Sequence, residues 1–114
     1  MKRALAAFLF LAPAALAEGD LVATITAAGA TASTAVKYGQ TYELQCNGDA
    51  RMRTGDSTVT VTNTDGAVTK GRKVLQDVLF PFATDKGQNY VAVIPADGSS
   101  TIKCDVFLRT KTSL

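Results

Sequence analysis

A chain of 114 residues with 12 basic and 10 acidic side chains, two cysteines and no histidine holds one ordinary domain and no second. The lack of histidine excludes Ser-His-Asp and Cys-His catalysis, and two cysteines alone do not furnish an ordinary zinc site.

The first seventeen residues, MKRALAAFLFLAPAALA, open on Lys2 and Arg3, run apolar from Ala4 to Leu16 and end in small residues. This is the pattern of a secretory signal peptide, with cleavage expected before Glu18, and its apolar run is shorter than the roughly 20 residues a membrane span needs. The expected domains are therefore a signal peptide over 1–17 and one folded domain over 18–114. Cleavage leaves 97 of the 114 residues and takes two of the 12 basic side chains, so 10 basic residues face 10 acidic ones. A balanced mature charge gives no reason to expect nucleic acid or an anionic membrane as partner.

From residue 21 onward the dominant period is two. LVATIT, STVTVT (57–62), NYVAVI (89–94) and TIKCDVFL (101–108) are β-branched and short, as strands are. The small-residue stretch AAGATASTA (27–35) reads as a connection plus a short strand. Glycine-containing turn signals separate these runs at Gly39, Gly48, Gly55, Gly66, Gly87 and Gly98. Strands at such spacing without an amphipathic helix predict an all-β fold, a single small β-sandwich of Ig-like or jelly-roll-like type with seven or eight strands.

Within LQCNGDARMR (44–53), alternation puts Leu44, Cys46, Ala50 and Met52 on the core side and Arg51 and Arg53 outside. A hairpin with a three-residue loop, Asn47 to Asp49, reconciles the two runs. It pairs Cys46 with Ala50, Leu44 with Met52, Gln45 with Arg51 and Glu43 with Arg53, and asks Asp49 to take a left-handed conformation. In that reading the arginines form a solvated outer row, and a Glu43–Arg53 pair contributes at most about 1 kcal/mol.

The last strand directs Ile102, Cys104, Val106 and Leu108 inward. Cys46 and Cys104 are thus both core-facing and destined for an oxidising compartment, so one disulfide is expected. Closing its loop stabilises the fold by about 4 kcal/mol on the chain-entropy model.

Other chemistry finds less support. GAVTKGRK (66–73) approaches a phosphate-binding loop but has Arg72 and Lys73 where Lys and Ser or Thr are required. The turn carboxylates in TGDS, TDGA and ADGS lack the alternating spacing and terminal Glu of an EF-hand. No cofactor, metal site or catalytic residue is expected, and the chain reads as non-enzymatic. Candidate partner-binding residues are Lys70, Arg72 and Lys73, which with Arg51 and Arg53 offer positive charge to an acidic partner. Phe80 and Phe82 join them, because VLFPF crowds apolar side chains around Pro81; one phenylalanine belongs to the core and the other is free to anchor a partner or an identical subunit.

YGQTYELQCNGDARMRTG and QNYVAVIPADGSSTIKCDVF together resemble a pattern of small phage-encoded virion accessory proteins of the decoration or head-tail type: a strand into DARMR and a glycine, then YVAVI and a closing small-residue hairpin. The resemblance spans roughly Tyr38 to Phe107. It implies a β-rich, non-enzymatic and often oligomeric protein that binds a capsid or tail, and it transfers no site residue. A signal peptide and a disulfide depart from that pattern, since tailed virions assemble in the cytoplasm. The combined expectation is a secreted or periplasmic binding or assembly module. A virion structural component and a monomeric ligand-binding or inhibitor module are the alternatives.

Overall fold

Eight strands make up the computed structural model, which describes residues 19–110, and they account for all of the period-two pattern except residues 57–62. They are β1 (Leu21–Ala28), β2 (Ala32–Ala35), β3 (Thr41–Cys46), β4 (Ala50–Gly55), β5 (Arg72–Val74), β6 (Phe80–Ala83), β7 (Tyr90–Pro95) and β8 (Thr101–Thr110). One four-stranded sheet has the order β1-β8-β3-β6 and the other β2-β7-β4-β5, with every pairing antiparallel. All but one of the connections pass from sheet to sheet, the exception being β4 to β5. Eight strands wound alternately into two sheets in this order make a jelly roll, which decides between the two sandwich types the sequence allows. The expected signal peptide lies outside the described residues.

The core fills the space between the sheets with the alternate residues of each strand: Tyr42, Leu44 and Cys46 from β3, Ala50 and Met52 from β4, Val91 and Val93 from β7, and Ile102, Cys104, Val106 and Leu108 from β8. Each of these is almost wholly removed from water, at roughly 25 cal/mol per Å² of apolar surface. Tyr42 stacks on Phe82 with ring centroids 5.5 Å apart, an arrangement that adds about 0.5–1.5 kcal/mol beyond burial. Its hydroxyl accepts from the Lys37 amide at 2.9 Å and donates to Gln40 Oε1 at 3.1 Å. The buried polar end therefore pins the β2–β3 connection instead of costing stability.

Cys46 and Cys104 are bonded, and they stand directly opposite each other on the neighbouring strands β3 and β8, with Cα atoms 4.0 Å apart. The bridge closes a separation of 58 residues.

The expected β3–β4 hairpin does not form. The loop does run from Asn47 to Asp49 and the inward set is as expected, but β3 and β4 belong to opposite sheets. Glu43 lies opposite Pro81 and Phe107, while Arg53 lies opposite Ala92, so no Glu43–Arg53 pair exists. Alternation fixes which side of a strand faces the core, and an arch between two sheets satisfies that requirement as well as a hairpin within one. An arch also needs no left-handed residue at its corner: Asp49 has no positive φ. The corner is instead held at both ends by side chains. Asn47 Oδ1 accepts from the Lys103 amide at 2.9 Å, and an Asp49 carboxylate oxygen accepts from the Gln76 amide at 2.8 Å. YVAVI and TIKCD are likewise joined by an arch and not a hairpin, since β7 and β8 lie in different sheets.

Residues 57–62, expected as a strand, form no strand. They belong to the long β4–β5 connection, a strap over residues 56–71 whose backbone–backbone hydrogen bonds, among the described residues, all stay within it, including one isolated bridge, Thr62 to Lys70. Val61 is 1% exposed, yet it is not part of the inner core. Ala92 is also fully buried outside that core, on the opposite side of β7 from Val91 and Val93. The strap crosses this outer face of the second sheet and covers it with Val61. Thr31 fixes its far side, donating from Oγ1 to the Val61 carbonyl at 2.9 Å. Gly71 brings the strap back against β4 so closely that a Cβ there would stand 2.4 Å from Val61 Cγ2 and 2.8 Å from the Met52 nitrogen.

Candidate binding cleft at the open edge of the sandwich

The two sheets do not close equally at their edges. Along one side β1 packs against β2. Along the other, β5 is only three residues long and β6 four, and a cleft of about 380 Å³ opens between the sheets. Its walls are Met52, Arg53 and Thr54 of β4, Lys70 and Arg72, Phe82 and Ala83 of β6, and Asp85 and Gln88 of the β6–β7 turn. Met52 and Phe82 are core residues whose outer ends form an apolar floor.

Arg72 reaches this cleft through register. It lies opposite Met52, so its side chain shares the core-side face of the sheet. On a short edge strand that face meets solvent, and Arg72 is exposed with no hydrogen-bond or ionic partner among the described residues. Lys70 is engaged: its ammonium forms an ion pair with Asp65, whose carboxyl is held below its ordinary range by that bond and charge. Arg53 contributes to the wall, but its Nη1 donates to the Thr60 carbonyl of the strap at 2.7 Å. Asp85 and Gln88 are fixed by a tight turn in which the Asp85 amide donates to Gln88 Oε1 at 3.1 Å and the Gln88 amide donates to the Asp85 carbonyl at 2.8 Å. Gly87 supplies the positive φ of 89° that the turn requires.

Four of the candidate partner-binding residues, Arg53, Lys70, Arg72 and Phe82, therefore line one cleft. The other three lie elsewhere. Arg51 sits on the outer face of the second sheet, where Nη1 donates to the Gly71 carbonyl at 3.0 Å, and Lys73 lies opposite it on the same face. The outer arginine row thus faces the strap of its own chain, not open water. Phe80 is half-buried against the core on the same side of β6 as Phe82. The half-exposed apolar side chains in this region are Leu75, Val78 and Leu79 of the β5–β6 connection, so neither phenylalanine is the freestanding anchor expected from VLFPF. Pro81 sits on an edge strand, where its missing N–H leaves no ladder bond unmade.

Sequence reasoning missed Met52, Thr54, Ala83, Asp85 and Gln88 as cleft residues. Met52 reads as core, which it is; only the short β5 uncovers its end. The turn glycine in TDKGQ marks a bend without saying that it curls toward β5.

The remaining motifs have structural work. In residues 66–73 the amides of Ala67, Lys70 and Gly71 donate to the carbonyls of Thr64, Ala67 and Thr62, so this stretch is not an open cradle for phosphate. The Asp97 carboxylate accepts from the amides of Ser99 and Ser100, both at 2.9 Å, and from the Ser100 hydroxyl. These bonds hold its pKa down to about 2. Asp56 is likewise lowered by the Thr58 hydroxyl and amide. Among the described residues no group of three or more acidic or cysteine side chains is placed to hold a metal ion. None of their helices is long and apolar enough to cross a membrane.

The class defined to this point is a disulfide-braced jelly roll with a basic, apolar-floored cleft at one edge. Compared with known proteins, the chain matches no family model, no curated sequence and no solved structure.

Proposed function

We propose that this is a secreted or periplasmic, non-enzymatic binding and assembly module that engages a protein partner through the β5–β6 cleft. The observation that carries the reading is the placement of the Arg72 guanidinium, unpartnered among the described residues, beside an apolar floor of Met52 and Phe82. That combination suits an acidic side chain flanked by an apolar one, because the floor excludes water and strengthens the charge pairing above it. Lys70 and Asp85 set the rim, and Asp85 disfavours a uniformly acidic ligand. The bonded Cys46–Cys104 pair is compatible with an oxidising compartment. Jelly rolls recur in capsid and lectin domains, which supports assembly or recognition by analogy alone.

A photo-reactive residue replacing Gln88 in the secreting culture tests the site. It should give an adduct of discrete mass, reduced severalfold by Arg72→Glu, while the same probe at the exposed Lys103 of β8, which does not line the cleft, gives none. Equal labelling from both positions, or none from Gln88, defeats the proposal. Mass spectrometry of the secreted protein should find a chain that starts at Glu18 and is two hydrogens lighter than its reduced form.

A further inference from the structure

A sandwich of two open sheets has four edges, and three of them carry recognisable protection against pairing with another chain. β6 is interrupted by Pro81, β5 is three residues long with Arg72 and Lys73 in it, and β2 is four residues long. Short length, proline and charge are the devices that keep edges from templating further strands. The fourth edge, β1, has none of these along most of its length: LVATITAA runs for eight residues without a charge or a proline. Its one irregularity is a register shift between Leu21 and Ala23 at its very start.

The outward groups of β1 can be read from its pairing. The Gly29 amide donates to the Ser100 carbonyl of the neighbouring chain segment. From Ala23 to Ala28 the register with β8 is unbroken, so alternation turns the amides and carbonyls of Ala23, Ile25 and Ala27 toward β8 and those of Thr24, Thr26 and Ala28 away from it. The side chains of Thr24, Thr26 and Ala28 are exposed, and no hydrogen bond from their backbone to a further strand exists among the described residues.

We infer that β1 is a self-association edge whose occupant is the β1 strand of a second copy of this chain, joined antiparallel about a twofold axis. This deepens the assembly half of the proposed function, on which it rests, but it uses the edge farthest from the cleft. A twofold centred at Ile25 sets Thr24 against Thr26 of the second copy and Val22 against Ala28, a self-complementary ladder that joins two four-stranded sheets into one of eight. Threonine pairs suit such a ladder. Charge does not oppose it, because the strand is uncharged and the chain from Glu18 onward carries 10 basic and 10 acidic residues. The other edges being protected, isologous pairing consumes the open one and stops at two copies.

Sedimentation of the mature, disulfide-bonded protein over a dilution series tests the inference. The expected result is twice the monomer mass at high concentration, falling to the monomer on dilution. Thr26→Pro removes an outward N–H while sparing the bonds to β8, and the double variant Thr24→Lys with Thr26→Lys charges exposed positions only. Both should be monomeric throughout, with the double variant serving if the proline impairs folding; near-ultraviolet circular dichroism and the oxidised mass report the fold. A wild-type monomer at every concentration overturns the inference, as does a dimer that survives in a folded variant. The Gln88 photo-adduct, measured on the lysine double variant, separates the two readings: its persistence with loss of the dimer leaves the cleft proposal standing, and a dimer without the adduct leaves only the edge.

Discussion

Asp97 shows how much one exposed side chain can organise without being buried. Its carboxylate receives the amides and hydroxyl that close the β7–β8 arch, and its pKa falls from 3.8 to about 2. Because the folded value lies below the unfolded one, its contribution is present in full above about pH 4 and is lost as pH falls through about 2. Carbon-detected titration should place the Asp97 midpoint near 2, and Asp97→Asn should flatten that portion of the acid limb in urea midpoints recorded against pH. Arg51 makes a different point. As a member of a solvated row, its replacement would cost little, but its Nη1 holds the Gly71 carbonyl in a part-buried setting. Arg51→Ala should therefore lower stability by about 1–2 kcal/mol, since a hydrogen bond from a charged donor is lost and a carbonyl is left short of a partner. Denaturant unfolding at neutral pH measures this, and a change below a few tenths of a kcal/mol would return the arginine to a solvent role.

The strap over residues 56–71 is the element with the most consequence for so little regular structure. Gly71→Ala should be among the most damaging single-methyl changes in the molecule, by about 2–3 kcal/mol, because the new Cβ meets backbone at Met52 as well as Val61. Hydrogen exchange should show the damage first at amides of the strap itself, those of Val61, which donates to Thr31 Oγ1, and Gly71, which donates to the Thr62 carbonyl, among them. This element also marks the limit of what the sequence reveals. Thr58 to Thr62 alternates as a strand does, yet only Val61 is buried, because no neighbouring strand receives it. The inward faces of β3, β4 and β8 were legible from alternation alone, and the Cys46–Cys104 bond from a single cysteine pair, both core-facing, behind a signal-peptide pattern. Partnership between strands was not, since LQC-NGD-ARM obeys the same periodicity in an arch as in a hairpin. The cleft escaped notice for the same reason: Arg72 and Phe82 meet only because β5 and β6 are edge strands of different sheets.

At the scale of the molecule, two sheets are held by a core between them, by the strap outside one of them and by one covalent bond within the other. Replacing Cys46 and Cys104 by serine should lower stability by about 4 kcal/mol on the chain-entropy account, with two hydroxyls in a dry core adding to the loss. Differential scanning calorimetry of the mature protein should record this as a large fall in Tm without loss of cooperativity. The winding of the jelly roll carries a further consequence, which concerns time. Nearly every strand pairs with one distant in the chain, and the single in-sheet connection leads into the three-residue β5. Little native structure is therefore available from local contacts, and topology of this kind folds slowly. The Cys46–Cys104 bond sits at the pairing of β3 with β8, a closure spanning 58 residues. An unfolded but oxidised chain already has the central strands of one sheet tethered at the correct register. Such a chain should refold at least about tenfold faster than its reduced counterpart if that pairing forms in the transition state. The bond then serves less as a clamp on the finished protein than as a memory of which strands belong together.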